Sequence, residues 1–220
     1  GAYAAGGIFA SDGSGNATSS FFDSDNNGKI TNVTGGSCAY TVDPTTGRID
    51  LRLLTGTGTC PAGASSSVAE FAAYQTAQGS AVLLELDAGA VSSGMGFQQQ
   101  SSAALSAGNF AMNLAGQGLL HNNPSAIQQD VVGQFALSGT SITTGILDIN
   151  NVNAAFANDP ITTTGTSFAA PTGGRGTATI QASDPVATYK LLYYIIDSNT
   201  ALFLGQDTNR VLAGTLARQF

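Results

Sequence analysis

Few residues in this chain are of types that do chemistry, and their spacing limits what they can do. The run Asp23-Ser24-Asp25-Asn26-Asn27-Gly28-Lys29-Ile30 sets Asp23, Asp25 and Asn27 at alternate positions. Oxygens so spaced can converge on a hard cation while Gly28 permits the turn, as in the first eight positions of an EF-hand-type calcium loop. Position twelve is Thr34, where a bidentate Glu is wanted, and the flanks read as strands. The run therefore reads as an Asx/Gly hairpin turn, with calcium held by Asp23, Asp25 and Asn27 as the other reading. Cys38 and Cys60 form no CxxC, and the single histidine, His121, cannot complete a zinc set with them. A disulfide is the preferred reading, since Cys38 opens a strand-like stretch and Cys60 lies just past the following one, where a hairpin would join them. Two buried thiols are the alternative.

Nucleophilic and acid–base chemistry find less support. His121, Ser125 and Asp130 supply the residue types of a Ser–His–Asp triad, but no nucleophile elbow or oxyanion signature accompanies them. Glu70 and Glu85 could serve as paired carboxylates for glycoside hydrolysis, yet each reads as outward-facing in a different place. Lys29 and Lys190 are the two lysines an isopeptide cross-link could use. No catalytic residue, resident metal or cofactor is expected. Asn16-Ala17-Thr18 and Asn32-Val33-Thr34 fit the N-glycosylation pattern, which leaves a glycan as a conceivable partner.

Composition narrows the field further. Charged residues make up 10% of the 220, with a net charge of −7, against about 25% in an average globular chain. Seven Lys+Arg, spread singly, form no basic patch for phosphates, so nucleic acid is not an expected partner. The longest apolar run, Leu191 to Ile196, is strand-sized and far below the roughly 18 residues of a membrane span. Scarce lysine, abundant Ser, Thr and Gly and a disulfide point to an extracellular or cell-surface protein. The opening residues GAYAAGGIFA carry no basic stretch, so an export signal would have been removed or lie upstream.

These residues must be positioned by strands. In Gly47–Leu54, Ile49, Leu51 and Leu53 alternate with Arg48, Asp50 and Arg52, the period of a half-buried strand. Turn signals recur at short intervals, among them Asp12-Gly13, Asn27-Gly28, Asp43-Pro44 and Gly173-Gly174. Short helical pieces are expected only around Val152–Asn158 and Pro124–Gln129. Residues 66–100 align with 186–220 at a constant offset of 120: Tyr74 meets Tyr194, Leu84 meets Leu204, Asp87 meets Asp207 and Gly94 meets Gly214. Earlier, Gly7-Ile8-Phe9-Ala10 matches Gly133-Gln134-Phe135-Ala136, and Asp23 matches Asp148.

The expected fold is therefore all-β. Two tandem antiparallel meander units, each a barrel or a sandwich, occupy 1–100 and 108–220, with a linker at 101–107. The second unit reads as eight strands and the first as seven, because nothing ahead of Ala4 corresponds to Gly108–Leu114. A sheet short of one strand leaves backbone groups unpaired and its core open. Upstream residues, a strand of the other unit or a neighbouring molecule must cover it; a fragment boundary cut mid-domain is the other reading.

The run Gly7-Ile8-Phe9-Ala10-Ser11-Asp12-Gly13-Ser14-Gly15-Asn16-Ala17-Thr18 resembles the GxFxxDGxGNIT signature of secreted β-repeat proteins common in acidobacterial genomes. Tyr40–Asp43, Gly47-Arg48 and Leu83–Asp87 fit the remainder of that repeat, and 108–220 resembles a diverged second copy. The resemblance implies a bacterial exported protein of tandem architecture and transfers no catalytic or binding residue. Leu192, Tyr194, Ile196 and Phe203, in strands apolar on both faces, are expected to form an assembly surface. The expected role is a non-enzymatic structural subunit of a filament, pilus or sheath, partnered by copies of itself through β-strand complementation. The alternative is a secreted small-ligand or glycan-binding barrel.

Overall fold

In a computed structural model the chain is all-β, with no helix among the described residues. These are 1–55, 58–60, 68–76, 79–88, 91–100, 104–118, 127–152, 154–184 and 186–220, less the side chains of Ser19 and Ser20. A first sheet contains β1 (Tyr3–Ser11), β2 (Asn16–Asn26), β3 (Lys29–Val42), β4 (Arg48–Leu54), β5 (Gly58–Thr59), β6 (Val68–Gln75), β7 (Ser80–Glu85) and β8 (Ser93–Phe97). Its order is β1-β2-β3-β4-β6-β7-β8, with β5 beside β3. A second sheet contains β9 (Gly108–Gly118), β10 (Ile127–Ser138), β11 (Ser141–Asn150), β12 (Ala155–Pro160), β13 (Ser167–Phe168), β14 (Arg175–Ser183), β15 (Val186–Asp197), β16 (Thr200–Gly205) and β17 (Arg210–Arg218). Its order is β12-β11-β10-β9-β17-β16-β15-β14-β13, and one sheet curls into a half-barrel.

The sequence dictates these strands locally. The two-residue loop Asn27-Gly28, with φ of 54° and 83°, makes the primed turn that matches the right-handed twist of β2 and β3. The Asp12-Gly13-Ser14-Gly15-Asn16 run is a capped turn: the Asp12 carboxylate accepts the Ser14 N–H at 2.7 Å, the Asn16 N–H at 3.0 Å and the Asn16 side-chain N–H at 2.6 Å. Those bonds hold the Asp12 carboxyl below the usual carboxylate range, the Asn16 side chain contributing most. The segment expected to be helical, Val152–Asn158, instead runs into β12. Asn150 and Asn151 accept the backbone N–H groups of Val152 and Ala154, each at 3.1 Å, and such Asx bonds compete with a helix. Of Pro124–Gln129, residues 127–129 lie in β10 and the rest lie outside the described residues.

The chain divides into two compact bodies. One comprises Ala5–Asp23 and Thr31–Gln98; the other comprises Gly1–Ala4, Ser24–Ile30 and Gln99–Phe220. The division after Gln98 falls two residues before the expected end of the first unit at 100. The start of β1 and the β2–β3 turn nevertheless belong to the second body. Of the expected linker, 101–103 lie outside the described residues, and Leu105 is buried in the second core.

Internal correspondence appears at the level of individual bonds. Leu86 N–H donates to Glu70 O and Gln206 N–H to Lys190 O, each at 2.8 Å and offset by 120. Glu70 N–H donates to Asp87 Oδ2 at 2.9 Å, and Lys190 N–H to Asp207 Oδ2 at 3.4 Å, at the same offset. A Cβ on Gly7 would collide with the Phe21 carbonyl, and one on its counterpart Gly133 with the Ile146 carbonyl. Each glycine thus lets the next strand approach closely.

The second core is extensive. Phe110, Phe135, Phe168, Tyr193 and Phe203 make a chain of ring contacts 5.0 to 6.2 Å apart, and burial pushes the Tyr193 hydroxyl up to about 12. The first core is small, built on Ala17, Phe22, Leu51, Leu53 and Ala69. Beside it, Cys38 and Cys60 form a disulfide packed on Leu54 and Val68. The bond joins a parallel pair rather than a hairpin: Ser37 opposes Thr59, and Cys60 N–H donates to Ser37 O at 2.7 Å. Its closed loop spans 22 residues, which contributes about 3 kcal/mol in the chain-entropy model. Replacing both cysteines by serine is expected to cost about that much in urea unfolding of the oxidised protein. An unchanged midpoint would remove the disulfide from the account of the first sheet's stability.

Candidate functional site

The most distinctive feature of the first sheet is its two ends. Among the described residues β1 has β2 as its strand neighbour and β8 has β7. Through the duplication β1 corresponds to β10 and β8 to β17, and in the second sheet those two strands flank β9. Among the described residues, no strand flanks β1 and β8 in the first sheet as β9 flanks β10 and β17 in the second.

Side chains of these strands differ from their counterparts in the second sheet. Phe135 of β10 is 2% exposed, because Phe110 of β9 is its direct partner and stacks on it at 6.2 Å. Its counterpart Phe9 is 42% exposed. At the other end, a Cβ on Gly214 of β17 would collide with the Asn113 carbonyl of β9. Its counterpart Gly94 meets nothing within 4 Å. Met95 is 53% exposed and lies opposite Val82, which in turn opposes Tyr74. Both of these are exposed as well, so an apolar stripe crosses β6, β7 and β8. The ion pairs Arg48–Asp50 at 2.7 Å and Arg52–Glu70 at 2.9 Å lie on the neighbouring part of the sheet.

A second cluster lies in the other body. Asp25 is fully buried. Its Oδ1 accepts the Gly28 N–H at 2.9 Å, and its Oδ2 has no hydrogen-bond partner. Burial, and to a lesser degree the charge of Asp207, push its carboxyl up to about 6. Asp207 is also raised by burial, against the pull of Arg210, whose Nε lies 3.4 Å from Asp207 Oδ2. The same guanidinium sits 4.6 Å over the Tyr189 ring, a cation–π contact.

The sequence-based candidates distribute as follows. Asp25 is used by the hairpin turn, Asp23 is fully buried and Asn27 occupies the turn itself. No group of three or more His, Cys, Asp or Glu among the described residues is arranged to hold a metal. His121 and Ser125 lie outside the described residues; Asp130, in β10, accepts the Gln128 side-chain N–H at 3.1 Å. Glu70 and Glu85 do not converge. Glu70 opposes Arg52 while Glu85 opposes Phe71 one residue along, so the strand's alternation puts them on opposite faces. Glu85 is buried rather than outward-facing and accepts the Ser92 hydroxyl.

The expected assembly surface is placed differently too. Leu192 and Tyr194 are 1% and 4% exposed within the single chain, and Ile196 is half-buried. Phe203 opposes Tyr193 whereas Leu192 opposes Leu204, so Phe203 alternates onto the core face against Phe168. The exposed apolar residues of these terminal strands, Phe9 and Met95, were missed by sequence reading. The 120-residue offset would have flagged Met95, since it places an apolar side chain where the second copy has Thr215.

No protein-family model, no curated protein and no solved structure matches this chain. The open edge and the buried carboxylates therefore stand on their own geometry.

Because the folded state holds the Asp25 carboxyl up to about 6, against 3.8 in the unfolded chain, its ionisation destabilises the fold. That cost is absent below about pH 4, grows from pH 4 to 6 and is full above it. Asp25→Asn keeps the acceptor for Gly28 and removes the charge. It is expected to stabilise by about 2–3 kcal/mol at pH 7 and by nothing at pH 3.5. Thermal melts across that range check this, and equal stability of the two proteins at pH 7 would contradict it.

Proposed function

We propose that the protein is a non-enzymatic structural subunit of an extracellular assembly, such as a filament, pilus or sheath. Neighbouring subunits join by β-strand complementation at the open edges of the first sheet, making copies of the chain its principal partners. The observation that carries this reading is that, among the described residues, β1 and β8 are the terminal strands of the first sheet and carry exposed Phe9 and Met95. Natural sheets shield such edges with lysine, proline or covering loops, and these two strands contain neither Lys nor Pro. A surface with 10% charged residues does little to keep molecules apart. The disulfide supports an oxidising, extracellular location, as does the resemblance to secreted β-repeats.

The ligand-binding alternative places its cavity inside a barrel. Phe110, Phe135, Phe168, Tyr193 and Phe203 fill that interior in the second sheet, and no observation favours this reading over assembly.

Sedimentation velocity tests the proposal. The oxidised chain is expected to associate increasingly with concentration, and Met95→Lys, which places a charge on the β8 edge, to suppress it. A wild-type chain that stays monomeric at every concentration would contradict the proposal.

A further inference from the structure

We infer that the outer face of β6, β7 and β8 is a docking surface for the same face of a second copy of this chain. The inference rests on the reading of copies as partners. It gives them a second contact, made through a sheet face rather than through strand edges.

Register defines the face. Val82 of β7 lies opposite Tyr74 of β6 and Met95 of β8, and Ser80 lies opposite Phe97. Cross-strand partners share a face, as do alternate residues along one strand, so Tyr74, Val82, Leu84, Met95 and Phe97 stand on one side. Each is 41 to 53% exposed. The opposite side packs Leu51, Leu53 and Leu83 into the first core. Large apolar side chains left half open present roughly 100 Å² each, so the patch is on the order of 500 Å², at the upper end of what a monomer carries.

In the other repeat the equivalent face is covered. Tyr194 opposes Leu202 and Leu192 opposes Leu204, just as Tyr74 opposes Val82 and Ala72 opposes Leu84. Leu192, Tyr194 and Leu204 are 1%, 4% and 1% exposed within the single chain. The first sheet thus leaves open to water a face that its duplicate buries.

Charge selects the occupant. On β4 the same face carries Arg48, Asp50 and Arg52, opposite Tyr74, Ala72 and Glu70. The pairs Arg48–Asp50 and Arg52–Glu70 make a rim of zero net charge in a chain whose net charge is −7. A strongly charged partner would gain nothing from such a rim. A second copy, turned about a two-fold axis, brings an apolar centre to the apolar centre and the same alternation of signs to the rim, so each basic group can meet an acidic one. An apolar centre within a polar rim is the anatomy of a protein interface, and the two together approach the roughly 800 Å² per partner that a standard interface buries.

Sedimentation equilibrium of the oxidised full chain tests this, with edge contacts and face contacts separated by substitution. Phe9→Lys/Gly94→Lys guards both terminal strands with lysine and leaves the face untouched, since Gly94 has open space beside it. This guarded chain is expected to form a closed dimer. Adding Leu84→Lys, at a half-exposed position, should raise the dimer dissociation constant about 10- to 100-fold while the melting temperature stays the same. In the guarded background, Asp50→Lys/Glu70→Lys makes the rim all basic and Arg48→Glu/Arg52→Glu makes it all acidic. Each should be monomeric alone, and the two should form one-to-one pairs when mixed. A guarded chain that is monomeric while wild type associates would overturn the inference and spare the strand-edge reading, and so would a dimer that Leu84→Lys leaves intact. Oppositely charged rims that fail to pair on mixing would overturn a second copy as the occupant. Association of the guarded chain as extensive as that of wild type would overturn the strand-edge reading instead.

Discussion

A strand inside a sheet has two rows of backbone N–H and C=O groups to satisfy, and the organisation of this chain turns on where that requirement is met. In the second sheet β9 meets it for β10 and β17 together. The same strand delivers Phe110, Met112 and Leu114 to the centre of the core, so one strand closes both the hydrogen-bond ladder and the packing. Among the described residues, the first sheet contains the counterparts of the flanking strands without a strand between them, and its Phe9 is exposed where Phe135 is buried. Phe9 and Phe135 are the same residue type at matching positions, and Phe135 has Phe110 of β9 as its direct partner.

Much of this was legible in the sequence. The all-β class followed from turn spacing and from the alternation in Gly47–Leu54. The pairing of Cys38 with Cys60 was legible, but not its parallel geometry, because two-residue β5 is too short to carry a periodic signal. The expected helical piece at Val152–Asn158 overlaps β12, because so short a run carries too little period to separate helix from strand. Its course is set by the side chains of Asn150 and Asn151. Phe203 was assigned to the wrong face because a strand apolar on both sides gives no phase, and register with β15 decides it. The burial of Asp25 was hidden for a related reason. A motif that reads as a solvated turn says nothing about what packs on it, and here the carboxylate is fully buried.

The two unusual regions answer different physical demands. Asp25, Asp207 and Arg210 put charge where solvent is excluded, and the fold bears a pH-dependent cost for it. The terminal strands of the first sheet leave apolar side chains such as Phe9 and Met95 in contact with water, a cost that a covering strand would remove. Low surface charge belongs with the second demand. On the proposed assembly reading, a molecule covered by its neighbours has less need of charges to keep it soluble, and strands without lysine are less guarded against pairing.

Amide hydrogen exchange tests the central claim most directly, by comparing the isolated chain with its assembled form. In the isolated chain the outward amides of β1 and β8 should exchange fast while those of β10 and β17 are strongly protected. On the proposed assembly, β1 and β8 should gain protection. Protection of β1 and β8 already equal to that of β10 and β17 in the isolated chain, or protection gained by neither on assembly, would contradict the account.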